Sequence, residues 1–81
     1  MNSTLPIRII EIEEPQRFIN INTASVVELE SLPEIGPILA RDIIFYRMKI
    51  GRYKDIEELK NIKGIGDKKL EKIKDLTTVG E

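Results

Sequence analysis

The sequence has no cysteine and no histidine. Disulfides, thiolate nucleophiles, imidazole general bases and every zinc site built from Cys or His are therefore excluded. No run approaches the roughly 20 apolar residues that span a bilayer, and the first residues lack a basic segment leading into an apolar one. Membrane insertion by this chain is not expected. Compartment stays open, since a chain without thiols suits both the cytoplasm and an extracytoplasmic position on an anchored parent. At 81 residues and 41% hydrophobic content there is room for one small core, too little for a multilayered enzyme. Domains of this size bury only about 60% of the surface their unfolded chains expose. Stability must come from well-packed helices.

Basic excess is missing too: the net charge is −1, whereas nucleic-acid-binding domains are usually basic. Its distribution is uneven. From Met1 to Gly36 there are two basic residues, Arg8 and Arg17, against six glutamates, while from Pro37 to Glu81 eleven Lys/Arg face eight Asp/Glu. The downstream half can form a basic patch.

What the chain does contain is an internal repeat. Shifted by thirty residues, VVELESLPEIGPILARDI from Val26 falls on IEELKNIKGIGDKKLEKI from Ile56 with the apolar frame in register. Val26 meets Ile56, Leu29 meets Leu59, Leu32 meets Ile62, Ile35 meets Ile65, Gly36 meets Gly66, Ala40 meets Leu70 and Ile43 meets Ile73. Each copy reads as helix, tight turn, helix. Ser25 and Glu28, like Asp55 and Glu58, stand at capping-box spacing. Val26, Leu29 and Leu32, with their counterparts, give each short helix an apolar face. Pro33 ends the first short helix and Pro37 opens the next. The longer helices are expected over about Pro37 to Ile50, closed by Gly51, and about Asp67 to Leu76, with Asp67 as its cap. The link Gly51-Arg52-Tyr53-Lys54 is so short that the two units must pack on each other. Upstream, Ile7, Ile9, Ile10 and Ile12 flank charged residues until Pro15, and a lone strand there would lack a partner. Residues 1–17 are therefore expected as an extended arm or the remnant of a preceding domain, and residues 18–81 as one all-α tandem domain with pseudo-twofold symmetry. The arm could also serve self-association.

The turns carry the chemistry. Glycine lets a backbone approach a ligand closely and accepts positive φ. A helix that starts just after it offers free amide hydrogens and a positive dipole end to an anion. Around the second turn, Lys63-Gly64-Ile65-Gly66, stand Lys68, Lys69 and Lys72, which makes it the best phosphate site in the sequence. At the first turn Gly36 is present, and Arg41, Arg47 or Lys49 could assist. A blander reading is that Gly36, Gly64 and Gly66 only permit tight turns, and that the lysines, interleaved with Asp67, Glu71 and Asp75, form a solvated face. Leu39, Ile43 and Ile44 read as core. Tyr46 and Tyr53 are expected partly buried, with base stacking as the alternative. Glu57 and Glu58 point to different helix faces and converge on nothing, so catalytic residues are not expected. No helix rich in Arg, Asn and Gln is available to read a major groove.

The run INTASVVELESLPEIGPILARDIIFYR followed by GRYKDIEELKNIKGIGDKKLEKIKDL resembles the DNA-binding domain of the bacterial competence protein ComEA and its relatives. The similarity covers about three quarters of the chain. It rests on Asn22-Thr23-Ala24, both glycine turns, Ala40 with Ile43, Arg47, and Tyr53-Lys54. It implies a compact helical fold that binds double-stranded DNA from its minor-groove side, each hairpin meeting the phosphates of one strand. DNA uptake follows from the resemblance alone. No cofactor is expected, although in such families hairpin carbonyls sometimes hold a monovalent cation. One position departs from the pattern: Glu34 stands where the family prefers glycine, and brings a negative charge to a place that should meet phosphate. The second unit should then dominate binding. Two other uses fit the same fold. One is a protein-binding module, as in the similar extrinsic subunit of photosystem II, favoured by the pI near 5.5 and by Glu34. The other is the DNA-targeting part of a larger repair enzyme.

Overall fold

The computed structural model describes residues 18–80. The arm expected over residues 1–17 lies outside the described residues.

After a two-residue strand β1 (Ile19–Asn20), the first unit begins at Ser25, the cap of helix α1 (Val26–Glu30). Ser25 Oγ accepts from the Glu28 amide at 3.2 Å, and Glu28 Oε1 accepts from the Ser25 amide at 2.9 Å. This reciprocal pair is the box read from the sequence. The turn through Leu32 and Ile35 leads into α2 (Pro37–Ile50), which starts with a proline and stops at Gly51, whose φ of 96° suits glycine.

The second unit repeats the plan with tighter local geometry. Asp55 Oδ1 accepts from the Glu57 amide at 2.9 Å, and Glu58 Oε1 accepts from the Asp55 amide at 3.3 Å. The segment they cap is a 3-10 helix, η1 (Ile56–Asn61), rather than the α-helical turn expected. Its apolar residues Ile56, Leu59 and Ile62 are spaced as in α1 and suit either geometry, and a segment this short tolerates the poorer bonds of a 3-10 helix. α3 (Asp67–Ile73) then tightens into a second 3-10 turn, η2 (Lys74–Leu76), before strand β2 (Thr77–Thr78). Thr77 Oγ1 donates to the Ile73 carbonyl at 3.1 Å, satisfying one of the groups left open where the α-helix ends. The expected cap is also corrected. Gly66 occupies the cap position, and Asp67, one residue later, holds Lys60 at 2.8 Å instead.

The thirty-residue repeat is visible in packing. The order of exposed, buried and half-buried residues along 31–40 recurs unchanged along 61–70. Leu29 and Leu59, Leu32 and Ile62, Ile35 and Ile65, Ala40 and Leu70, and Ile43 and Ile73 are all buried in one cluster, with Ile21, Ala24 and Tyr53 between them. Val26 is the exception. At 41% exposed it lies outside the core, whereas its counterpart Ile56 is half-buried against it.

Contacts between the units are reciprocal. Glu34 in the first turn reaches Lys69 near the start of α3, while a Cβ on Gly64 in the second turn would lie 3.1 Å from Leu39 Cδ2 near the start of α2. Positions 34 and 64 match, as do 39 and 69, so each turn touches the other unit's longer helix at the same place. Such reciprocity is the mark of a twofold axis. It brings both turns and both helix starts to one edge of the domain.

The two ends of the described residues are tied by a pairing the sequence did not announce. β1 and β2 run parallel, Ile19 opposite Thr77 and Asn20 opposite Thr78. Asn22 locks this closure: its Nδ2 donates to the carbonyls of Tyr53 (2.9 Å) and Val79 (2.8 Å), and its Oδ1 accepts from the Tyr53 amide at 2.7 Å. Tyr53 is fully buried, and its hydroxyl donates to the Ile43 carbonyl at 2.8 Å. Burial pushes that hydroxyl's pKa up, and its ring is not available for stacking on a base.

Candidate nucleic-acid interface

At the shared edge, α2 and α3 each begin behind a glycine, Gly36 and Gly66, with extended backbone (φ −93° and −110°) and no side-chain cap. The first intrahelical bonds run from Ala40 to the Gly36 carbonyl and from Leu70 to the Gly66 carbonyl, both at 2.9 Å. The amides ahead of them in the first turn have no helical acceptor, save for Pro37, which has no N–H. Neither glycine is demanded by the fold. Their φ values are open to any residue, and a Cβ at either would meet nothing within 4 Å. Gly64 differs, since its φ of 103° calls for glycine. The simple turn reading thus accounts for Gly64 and leaves Gly36 and Gly66 unexplained.

Side chains around the two turns differ sharply. Lys68, Lys69 and Lys72 in α3 correspond to Ile38, Leu39 and Asp42 in α2, and Lys63 corresponds to Pro33. The second turn is followed in sequence by lysines where the first is followed by apolar and acidic residues. Lys63 and Lys68 are exposed, and among the described residues neither is in an ion pair. Lys69 and Lys72 both hold Glu34, at 3.4 and 2.5 Å. The Lys72 and Lys69 ammonium groups keep the Glu34 carboxyl below the usual carboxylate range, so it is ionised at neutral pH. Ile65 is buried and can offer a ligand only its main chain.

The first unit has less to give than its sequence suggests. Arg47 is spent on structure: its Nη1 donates to the carbonyls of Ile21 (2.8 Å) and Ala24 (3.2 Å), holding the segment before α1 against α2. Arg41 pairs with Asp42 at 3.0 Å and lies over the Phe45 ring, 5.7 Å from its centre. Lys49 lines a shallow hollow of about 250 Å³ with Asp42, Phe45, Tyr46, Ile62 and Lys63. That is smaller than the roughly 300–1,000 Å³ of a small-molecule site.

Among the described residues no group of three or more Asp or Glu side chains converges as a metal site. A monovalent cation at the turns would be held by main-chain oxygens. Those of Leu32 and Ile62 already accept from Ile35 (3.2 Å) and Ile65 (3.0 Å), each keeping a second lone pair.

Two helical units, a shared edge and paired glycine turns are the form of one family, and the model of the helix-hairpin-helix motif matches residues 14–78. The chain belongs to the helix-hairpin-helix family. It is 46% identical over 61 residues to ComE operon protein 1 of Bacillus subtilis, covering 75% of this chain and 30% of that protein. It is also 44% identical over 59 residues to the human endonuclease/exonuclease/phosphatase family domain-containing protein 1, covering 73% of this chain and 10% of the relative. With an uncharacterized protein of Haemophilus influenzae it shares 43% identity over 58 residues, 52% of that protein's length. The domain is thus of the ComEA type, and the chain spans less than a third of the first two relatives. Its match to the human protein covers only the small helix-hairpin-helix part. No helix among the described residues is long and apolar enough to cross a membrane.

Proposed function

We propose that this domain binds double-stranded DNA through the phosphate backbone, without reading sequence and without catalysing a reaction on it. The observation that carries this reading is the pair Gly36 and Gly66. Glycine at a helix cap gives up the side-chain bond that a Ser or Asp would make, at a cost of roughly a few tenths of a kcal/mol. Here both caps are glycine with open space in front of them, although neither φ nor packing asks for it. A ligand whose own surface comes within contact of the backbone explains both. Phosphate suits the site, because free amides and the helix dipole favour an anion. Lys63 and Lys68 then add charge beside the second turn, which makes that unit the stronger half. The family membership and the similarity to ComE operon protein 1 support the same conclusion. Contacts of this kind position a protein on a duplex but carry no base information.

Gly66→Ala tests it with little risk to folding, since the added methyl group meets no neighbour. The variant should remain folded, melting below wild type only by what a poorer cap costs, about 1 kcal/mol, while binding a duplex at least about fivefold more weakly by fluorescence anisotropy. Unchanged binding by a folded variant would remove the hairpin backbone from the interface.

A further inference from the structure

Glu34 has a positive φ of 64°, and is the one non-glycine residue among those described with such a backbone. Its counterpart in the second unit is Gly64, which has no side chain and sits so near Leu39 that a Cβ there would lie 3.1 Å from Leu39 Cδ2. An ionic contact is therefore not needed to seat a turn against the neighbouring helix. What the Glu34 side chain does instead is place one oxygen against Lys69 Nζ and the other against Lys72 Nζ. These lysines lie three residues apart on one face of α3. The arrangement has no mirror in the other unit, where Leu39 and Asp42 take the lysines' places and Gly64 that of the carboxylate.

Resting on the DNA-binding reading above, we propose that Glu34 is an intramolecular competitor for DNA: its carboxylate occupies a two-lysine phosphate subsite that a backbone phosphate takes over in the complex. A phosphate diester presents two unesterified oxygens with one negative charge, the same pattern of acceptors that the carboxylate offers to Lys69 and Lys72. Binding then proceeds by exchange. The two ammonium groups pass from Glu34 to the phosphate, and the freed carboxylate takes up a cation from solution. Glu34 thereby lowers affinity and offsets part of the counterion release that drives association. It sets a threshold that Gly64, at the matching position, does not.

The test uses the full chain with Glu34→Gln, which keeps the side-chain size and removes the charge, and Glu34→Gly, which also relieves the backbone. Duplex binding is followed by anisotropy across a salt series, with circular dichroism to confirm folding. Loss of two exposed ion pairs as competitors predicts tighter binding by about twofold to thirtyfold for Glu34→Gln. The slope of log affinity against log salt should steepen by about 0.9, one counterion's worth. Lys69→Ala combined with Lys72→Ala should cost more affinity in the Glu34→Gln background than in wild type, which a mere change in overall charge would not produce. If wild type binds and Glu34→Gln binds equally or more weakly, Glu34 is a strut and not a competitor, and the proposal is overturned while the DNA reading stands. If wild type and both Glu34 variants all fail to bind at low salt, the DNA reading itself fails and takes this proposal with it.

Discussion

Single residues divide into those that build the domain and those left over for a ligand. Arg47 and Asn22 belong to the first group although both are polar and lie in the stretch that matches the helix-hairpin-helix family. Arg47 satisfies two carbonyls ahead of α1, and Asn22 joins three stretches of chain through one amide group. Removing the Asn22 side chain leaves the Tyr53 amide and the carbonyls of Tyr53 and Val79 without these partners. At a net worth of about 0.5–1.5 kcal/mol per hydrogen bond, Asn22→Ala should destabilise by about 2–4 kcal/mol in urea unfolding. A loss under about 0.5 kcal/mol would show that water replaces the clasp. Lys63, Lys68, Gly36 and Gly66 belong to the second group, because nothing inside the described domain uses the lysines' charge or needs the glycines' missing side chains.

At the scale of elements, the two longer helices hold the core through equivalent residues. Ile43 on α2 and Ile73 on α3 are fully buried at matching positions of the repeat. Truncating either to alanine should cost about 2–5 kcal/mol, a large share of the reserve of a small domain. Chemical denaturation reads this directly, and a change below about 0.5 kcal/mol for either variant would remove that residue from the core. These positions were legible in the sequence because helical periodicity and capping boxes are local, and the thirty-residue repeat showed them twice. The 3-10 geometry of η1 was less legible. Apolar residues three apart, as at Ile56, Leu59 and Ile62, suit an α-helical turn and a 3-10 turn alike, and the choice falls to packing. The β1–β2 pair was hidden for a different reason: two-residue strands leave no alternation to detect, and their partners lie at opposite ends of the domain.

For the whole molecule, the decisive feature is that the two units match in their buried positions and glycine-capped helix starts but differ in charge. Both turns present the same glycine-capped helix start at one edge, but the lysines come only from the second unit, and two of them, Lys69 and Lys72, are held by Glu34 of the first turn. The sequence showed this imbalance and marked Glu34 as foreign to the first turn. It could not show where the Glu34 carboxylate goes, since Lys69 and Lys72 meet it only after the units have packed. Nor could it show that Arg47 is consumed internally, for the same reason. As proposed, this edge holds duplex DNA by its phosphates and reads no sequence. The most direct measurement is a salt titration of the full chain against several duplexes of unrelated sequence. Affinities should agree within about threefold, and log affinity should fall linearly with log salt at a slope of about −2 to −4, as expected for a few neutralised phosphates. Lys68→Glu with Lys69→Glu should abolish the binding. No binding at low salt, affinity independent of salt, or a folded Lys68/Lys69 double variant that binds as wild type does would contradict the account and favour a protein-binding role for the same fold.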